Sequence, residues 1–392
     1  MRIVADMTTL SDNLSGLERY AFCLVSEMIG LAPDKWYLVV KNKVPERIKQ
    51  LKRKYPDRVC LVHVNGGKLI VNQIKLPLVM SRIKADAYLF PSFPVPLLFG
   101  GRLPLGADCR IFSLIADTAV MDVPETMKFK SRLLFNLGYR HSVRVCRSII
   151  TISHFSEKRI RKHFKDVKDI IYAPCGVSVG WDKYWTDKKT SEMPVEVDKL
   201  VRKDGDIYWP AIKKKYGLPE NYILVLSTLE PRKNIRHVFS AYADLVSKNI
   251  DIPKLVVAGR KGWMVDKELE SIRGKFSNRI CLTGFIEEED LKAVYSHADI
   301  FVDASIYEGF GMPPLEALSN GVKHVLVSDI PAHREVLGKD AVYFKLHDIN
   351  DLAAKMAQIC RENTVQKTAE PACLSKYSWK KSAETVYAAM RG

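Results

Sequence analysis

One alternation, run twice, constrains this chain more than any other feature. Short apolar runs bounded by turn residues alternate with segments of helical apolar spacing up to about residue 180, stop, and begin again after residue 215. Such alternation builds a largely parallel sheet with helices on both faces. In the first half, strands are expected at residues 2–6, 36–40, 59–64, 87–90, 111–115 and 148–152. Amphipathic helices are expected at 17–29, 47–54 and 130–147. In the second half, strands are expected at 222–227, 254–258, 279–283, 300–304 and 324–328, with helices at 234–248, 289–297, 313–318 and 351–360. Residues 181–215, rich in Lys and Asp, break the rhythm and read as a linker carrying an insertion.

The fold class implied is α/β, with two Rossmann-like doubly wound domains at residues 1–180 and 216–375, facing each other across a cleft. A chain of 392 residues exceeds one ordinary core and fits two.

Charge is divided unevenly between the halves. Residues 1–180 hold 29 Lys and Arg against 15 Asp and Glu, whereas the remainder holds 32 against 30. A basic first half points to an anionic partner: a lipid surface, a phosphorylated acceptor or nucleic acid. Nucleic acid is the least expected, because no motif for it accompanies the charge. The eight cysteines are scattered with no C-x-x-C pair, which fits thiols in a reducing compartment and no structural zinc. Asp6 interrupts the amino terminus before a signal-peptide core could form, and no run reaches the ~18 apolar residues of a bilayer span. The expected location is cytoplasmic, with a peripheral contact at the inner face of the cell membrane.

Two segments carry chemistry. In the first, a strand ends near Ala304, Glu308 follows, and Gly309 and Gly311 bracket Phe310. Backbone N–H groups in such a loop can approach a ligand closely. Pro313 and Pro314 preset the start of a helix, and Glu316 is expected in its first turn. A helix start favours phosphate, a carboxylate beside it can accept from a ribose diol, and Glu308 can accept from sugar hydroxyls. The second segment, Glu230-Pro231-Arg232-Lys233-Asn234, follows a strand and opens a helix. Arg232 and Lys233 stand where a phosphate would lie and would stabilise a departing diphosphate.

Taken together these residues resemble the family 4 (group 1) retaining glycosyltransferases of the GT-B fold. The Glu-x7-Glu motif is matched by Glu308 and Glu316 in their Gly-Phe-Gly and Pro-Pro-Leu-Glu context, and the phosphate-binding Arg-Lys pair by Arg232 and Lys233. Val257-Ala258-Gly259-Arg260-Lys261-Gly262-Trp263 and Leu282-Thr283-Gly284-Phe285 are similar to the family's nucleotide-side turns. The Gly-rich loop near the donor diphosphate is matched by Asn13-Leu14-Ser15-Gly16, and the Thr-x-Ser strand end by Thr151-Ile152-Ser153. Tyr377-Ser378-Trp379 is similar to the point where the family's last helix, here 376–392, returns to the first domain. Three departures stand out: Ala116 occupies a position where His is usual, His154 replaces an acid, and Ser319 to Lys323 replace a Cys-Gly-Thr-Pro-like turn.

The resemblance implies a hexosyltransferase with Glu308, Arg232, Lys233 and Asp117 at the reaction centre. It places Gly16, Gly259, Arg260, Phe285, Phe310, Gly311, Leu315 and Glu316 around the donor. Donors are a GDP- or UDP-sugar, with a slight lean to GDP-mannose. The acceptor is a glycan or a lipid-diphosphate-linked saccharide in polysaccharide biosynthesis. No cofactor and no metal are expected, and no Asp-x-Asp stands where another transferase fold would use one. A nucleotide-sugar epimerase of the same architecture and a non-catalytic basic binding protein are the alternatives.

Overall fold

The computed structural model describes residues 1–100, 110–177, 209–260, 262, 274–362 and 371–392. Most of the expected linker, and Lys261 and Trp263, lie outside the described residues. The chain divides into two compact units, Met1–Gly176 with Tyr377–Gly392, and Val177–Lys376.

The first unit is a seven-stranded, wholly parallel sheet. Its strands are β1 (Arg2–Asp6), β2 (Lys35–Lys41), β3 (Val59–Val64), β4 (Ala87–Phe90), β5 (Arg110–Leu114), β6 (Ser148–Thr151) and β7 (Ile170–Tyr172), in the order β3-β2-β1-β4-β5-β6-β7. Helices cover both faces, so consecutive residues are buried regardless of side, as at Ile3, Val4 and Ala5. The order reverses between β1 and β4, whose carboxyl ends lie next to each other. The last helix of the chain, Trp379–Arg391, belongs to this unit. It buries Trp379, Ala383, Val386, Tyr387 and Met390, one face at helical spacing. Trp379 meets the Tyr20 ring edge-on at 5.6 Å, and the Ser382 hydroxyl donates to the Pro174 carbonyl at 2.7 Å. Tyr387 donates to Asp34, which also holds the amino terminus at 2.6 Å.

The second unit is a six-stranded parallel sheet of β8 (Tyr222–Leu226), β9 (Lys254–Ala258), β10 (Ile280–Gly284), β11 (Ile300–Asp303), β12 (His324–Ser328) and β13 (Val342–Phe344). The order is β10-β9-β8-β11-β12-β13. Its reversal falls between β8 and β11, where Ile223 pairs Ile300 and Leu224 pairs Phe301. In doubly wound sheets the crevice beyond the carboxyl ends of the strands at this reversal is where ligands bind.

Candidate active site

Arg232 and Lys233 come off β8, and Glu308 comes off β11, the two strands that flank the reversal. Local chemistry sets their directions. Pro231 starts a short 3-10 turn, Pro231–Lys233, and Asn234 takes the left-handed conformation (φ 50°) that Asn tolerates better than most residues. The Ile306 N–H donates to the Arg232 carbonyl at 2.9 Å and ties this turn to the loop after β11.

The three charged side chains meet directly. Lys233 Nζ lies 2.7 Å from Glu308 Oε1, and Arg232 Nη1 lies 3.1 Å from Oε2. Arg232 also donates to the Tyr307 carbonyl at 3.0 Å and to Glu230 at 2.9 Å. Glu308 is 7% exposed. Burial alone would push its carboxyl up, but the Arg232 and Lys233 charges outweigh burial and hold it at about 2. Burial likewise opposes the Lys233 cation, and the charges of Glu308 and Asp303 raise its pKa in spite of it. The two cations thus sit among three carboxylates: Glu308 bonds both, Glu230 bonds Arg232, and Asp303 acts on Lys233 through its charge. Sequence reading assigned Glu308 to the sugar and the cations to the diphosphate; the structure pairs them with each other.

The neighbouring helix, Met312–Ser319, starts one residue earlier than expected, with Gly311 as its left-handed N-cap (φ 92°). Glu316 is consequently its fifth residue and lies beyond the first turn, which holds no acid. This corrects the expected placement: Pro313 and Pro314 follow Met312 rather than open the helix. Because neither proline has an N–H, the Met312 N–H is the donor that this first turn can offer an anion. Glu316 accepts from the Tyr295 hydroxyl at 3.1 Å. Phe310 and Leu315, each 2% exposed, turn their side chains into the core, so a ligand would meet backbone there.

Gly259 and Gly262 let the turn after β9 lie against the turn after β8. A Cβ on Gly259 would sit 1.9 Å from the Ser227 carbonyl oxygen, and one on Gly262 1.9 Å from that of Leu229. Arg260 is exposed, with its guanidinium 4.9 Å from the centre of the Phe285 ring. Gly259, Arg260 and Phe285 thus rim the carboxyl ends of β9 and β10, beside β8.

Gly16 and Asp117 belong to the first unit. Gly16 opens the helix Gly16–Leu31, and a Cβ there would meet nothing within 4 Å. Asp117 follows β5 and accepts from the Ala119 N–H at 2.9 Å; Ala116, beside it, is buried. Thr151 and Ser153 have partners within the first unit: Thr151 donates to the Ile115 carbonyl at 3.0 Å, and the Ser153 hydroxyl caps a helix by accepting from the Ser156 N–H at 2.9 Å.

The structure adds groups that sequence reasoning missed. Glu230 was read only as motif context. Asp303, at the end of β11, accepts from the Ser305 N–H at 2.8 Å, while its Oδ2 is buried without a hydrogen-bond partner. Fully buried His333 pairs through Nδ1 with the Ser328 carbonyl at 2.9 Å, and its Nε2 has no hydrogen-bond partner. A Cβ on Gly311 would lie 3.3 Å from that Nε2. The only prior signal for His333 was Pro331 after a strand, too little to reveal a seven-residue helix, Pro331–Leu337. Among the described residues no group of three His, Cys, Asp or Glu side chains is placed to hold a metal ion.

Two parallel doubly wound units, one with a charged cluster at its strand-order reversal, define a two-domain α/β protein of the GT-B class. Residues 210–373, within the second unit, match the family "Glycosyl transferases group 1". The serotype-specific mannosyltransferase WbdA of Escherichia coli is 32% identical over 191 residues, 46% of this chain and 23% of WbdA. That match therefore spans less than a quarter of the relative. The O-antigen chain mannosyltransferase B of Escherichia coli is 24% identical over 97% of this chain and 96% of its own length. The crystal structure of Anabaena HepE in complex with UDP and glucose shares the fold, with a TM-score of 0.68 at 14% identity, covering 100% of this chain and 99% of that one.

Proposed function

We propose that this chain is a retaining glycosyltransferase of polysaccharide biosynthesis. It moves a hexose, with a slight lean to mannose, from a nucleoside diphosphate sugar to a glycan or lipid-diphosphate-linked saccharide, at the cytoplasmic face of the membrane. The observation that carries this reading is the Arg232–Lys233–Glu308 cluster at the β8/β11 reversal. Both Escherichia coli relatives bear the name mannosyltransferase, which supports the hexose and the pathway class.

In the proposed reaction the bond between the anomeric carbon and the β-phosphate oxygen breaks, and charge builds on that oxygen. Lys233, Arg232 and the Met312 N–H face the growing charge. The acceptor hydroxyl attacks from the face that the phosphate leaves, its oxygen bonds to the anomeric carbon, and its proton passes to the departing phosphate. Glu308 positions the sugar as the diphosphate draws Lys233 away from it, and Glu316 receives the ribose hydroxyls. Gly16 faces the diphosphate, and Asp117 contacts the acceptor. No metal or cofactor enters the scheme.

Turnover of GDP-mannose and of UDP-hexoses, followed as nucleoside diphosphate release with a mannose-terminated acceptor, tests this. Arg232→Ala and Lys233→Ala should each lower the rate by roughly 10²–10³. Unchanged rates in both variants contradict the assignment.

A further inference from the structure

We propose that three segments of the first unit form one surface that docks on an anionic phospholipid leaflet. Measured without donor or acceptor, this docking is independent of the transfer reaction.

Large apolar side chains left in solvent are concentrated rather than scattered. On residues 69–82, Leu69 (64% exposed), Ile70, Ile74 and Leu78 are exposed. On the loop after β4, Leu97 and Leu98 are exposed. On the helix Phe129–Val145, Phe129 (67%), Leu133 (51%), Leu134 and Leu137 are exposed. Among the described residues only Leu17 and Leu282 share this property elsewhere. Single exposed leucines are ordinary; a gathering of them marks a contact surface.

The three segments are knitted into one face. Phe93 stacks on Phe135 at 5.3 Å, Gly138 fits against Pro94, and the Ser142 hydroxyl accepts from the Val95 N–H at 2.9 Å. The Leu97 N–H donates to the Gln73 side chain at 2.9 Å. Leu69, Leu97 and Leu134, one from each segment, line the same cavity of about 290 Å³. Phe99, which follows Leu97 and Leu98, is fully buried and belongs to the core.

Charge identifies the occupant. Residues 69–82 and 128–145 contain seven Lys and Arg and no Asp or Glu. Lys75, Arg82, Lys128, Lys130, Arg140 and Arg144 are exposed. Along the helix, Leu133, Leu137, Arg140 and Arg144 follow helical spacing on one face, opposite the buried Tyr139 and Val143. Apolar residues interleaved with cations alone suit a leaflet in which acyl chains lie beneath negative headgroups. No described helix is long and apolar enough to cross a membrane, so the contact is superficial. The cavity is also lined by Thr8, Thr9, Asn72 and Gln73 and by one charge of each sign, Lys41 and Glu18, so it offers polar partners beside its apolar lining.

Vesicle flotation of the full chain tests the proposal. Wild type should float with phosphatidylglycerol vesicles at least about tenfold better than with phosphatidylcholine alone, and should be released by roughly 0.5 M salt. Leu133→Glu with Leu137→Glu should abolish flotation. Lys130→Glu with Arg132→Glu should remove the preference for phosphatidylglycerol. Both leucines are exposed, so circular dichroism and melting temperature should match wild type. If the double leucine variant misfolds, Leu69→Glu at the other end of the face replaces it. Wild type remaining with the soluble fraction overturns the proposal, as does undiminished flotation of the leucine variant. A wild-type dimer that Leu137→Glu splits, without vesicle binding, overturns it in favour of a second copy of the chain.

Discussion

Glu308 is bonded to both cations of its site, and this makes its role separable from theirs. Removing its charge takes from Lys233 and Arg232 the carboxylate that bonds both of them, while Glu230 stays bonded to Arg232. Glu308→Gln should therefore keep or tighten the affinity for a nucleoside diphosphate while turnover falls by roughly 10²–10³. Titration calorimetry and initial rates on the same preparation check both halves. An affinity lost in parallel with the rate contradicts the separation. The variant should also be less stable, because uncompensated charge is left in a buried site. The pH dependence follows from the sign of the shift. Glu308 titrates at about 2 in the folded chain and near ~4.3 when unfolded, so its stabilisation is complete above the unfolded value and is lost as pH falls through about 2. The stability gap between wild type and Glu308→Gln, read by denaturant titration, should be constant from neutral pH to about 5 and shrink below about 4.

Turns at strand ends, more than the strands themselves, place the site. Gly259 has φ 139° and no room for a methyl group against the Ser227 carbonyl. Gly259→Ala should cost about 2–4 kcal/mol by combining backbone strain with a backbone clash. Gly16→Ala, with open space around it, should change stability by less than about 0.5 kcal/mol. Thermal unfolding of the two variants distinguishes them, and equal melting temperatures would contradict the packing of the two turns. The strand pattern was largely legible: residues 59–64, 87–90, 254–258 and 324–328 are strands at those bounds. β7 and β13 were not, because three residues at a sheet edge carry too little pattern. Arg232, Lys233 and Glu308 were legible because their motifs place charge beside glycine and proline at strand ends. Their mutual contact was not, since pairing across β8 and β11 depends on strand order. Asp303 and His333 were illegible for a related reason: one buried polar side chain has no periodicity. The start of the helix at Met312 was missed because two prolines imitate a first turn.

The whole chain joins a basic unit to a nearly neutral one, and its last helix is folded into the basic one. Deleting residues 377–392 removes Trp379, Val386, Tyr387 and Met390 from the first core, roughly 6–12 kcal/mol of apolar burial at about 1.5–3 each. That matches the whole stability of an ordinary domain. The truncated chain should lose the calorimetric transition of the first unit and keep that of the second; two intact transitions would contradict this. The central claim, that the β8/β11 reversal holds a nucleoside diphosphate, has a more direct test. Titration calorimetry of GDP and of UDP into wild type and Lys233→Ala should show saturable binding of at least one of them. That binding should weaken at least about tenfold in the variant, the effect of losing one charge-assisted contact. Absence of binding by both nucleotides, or equal affinity in the two proteins, would contradict the account.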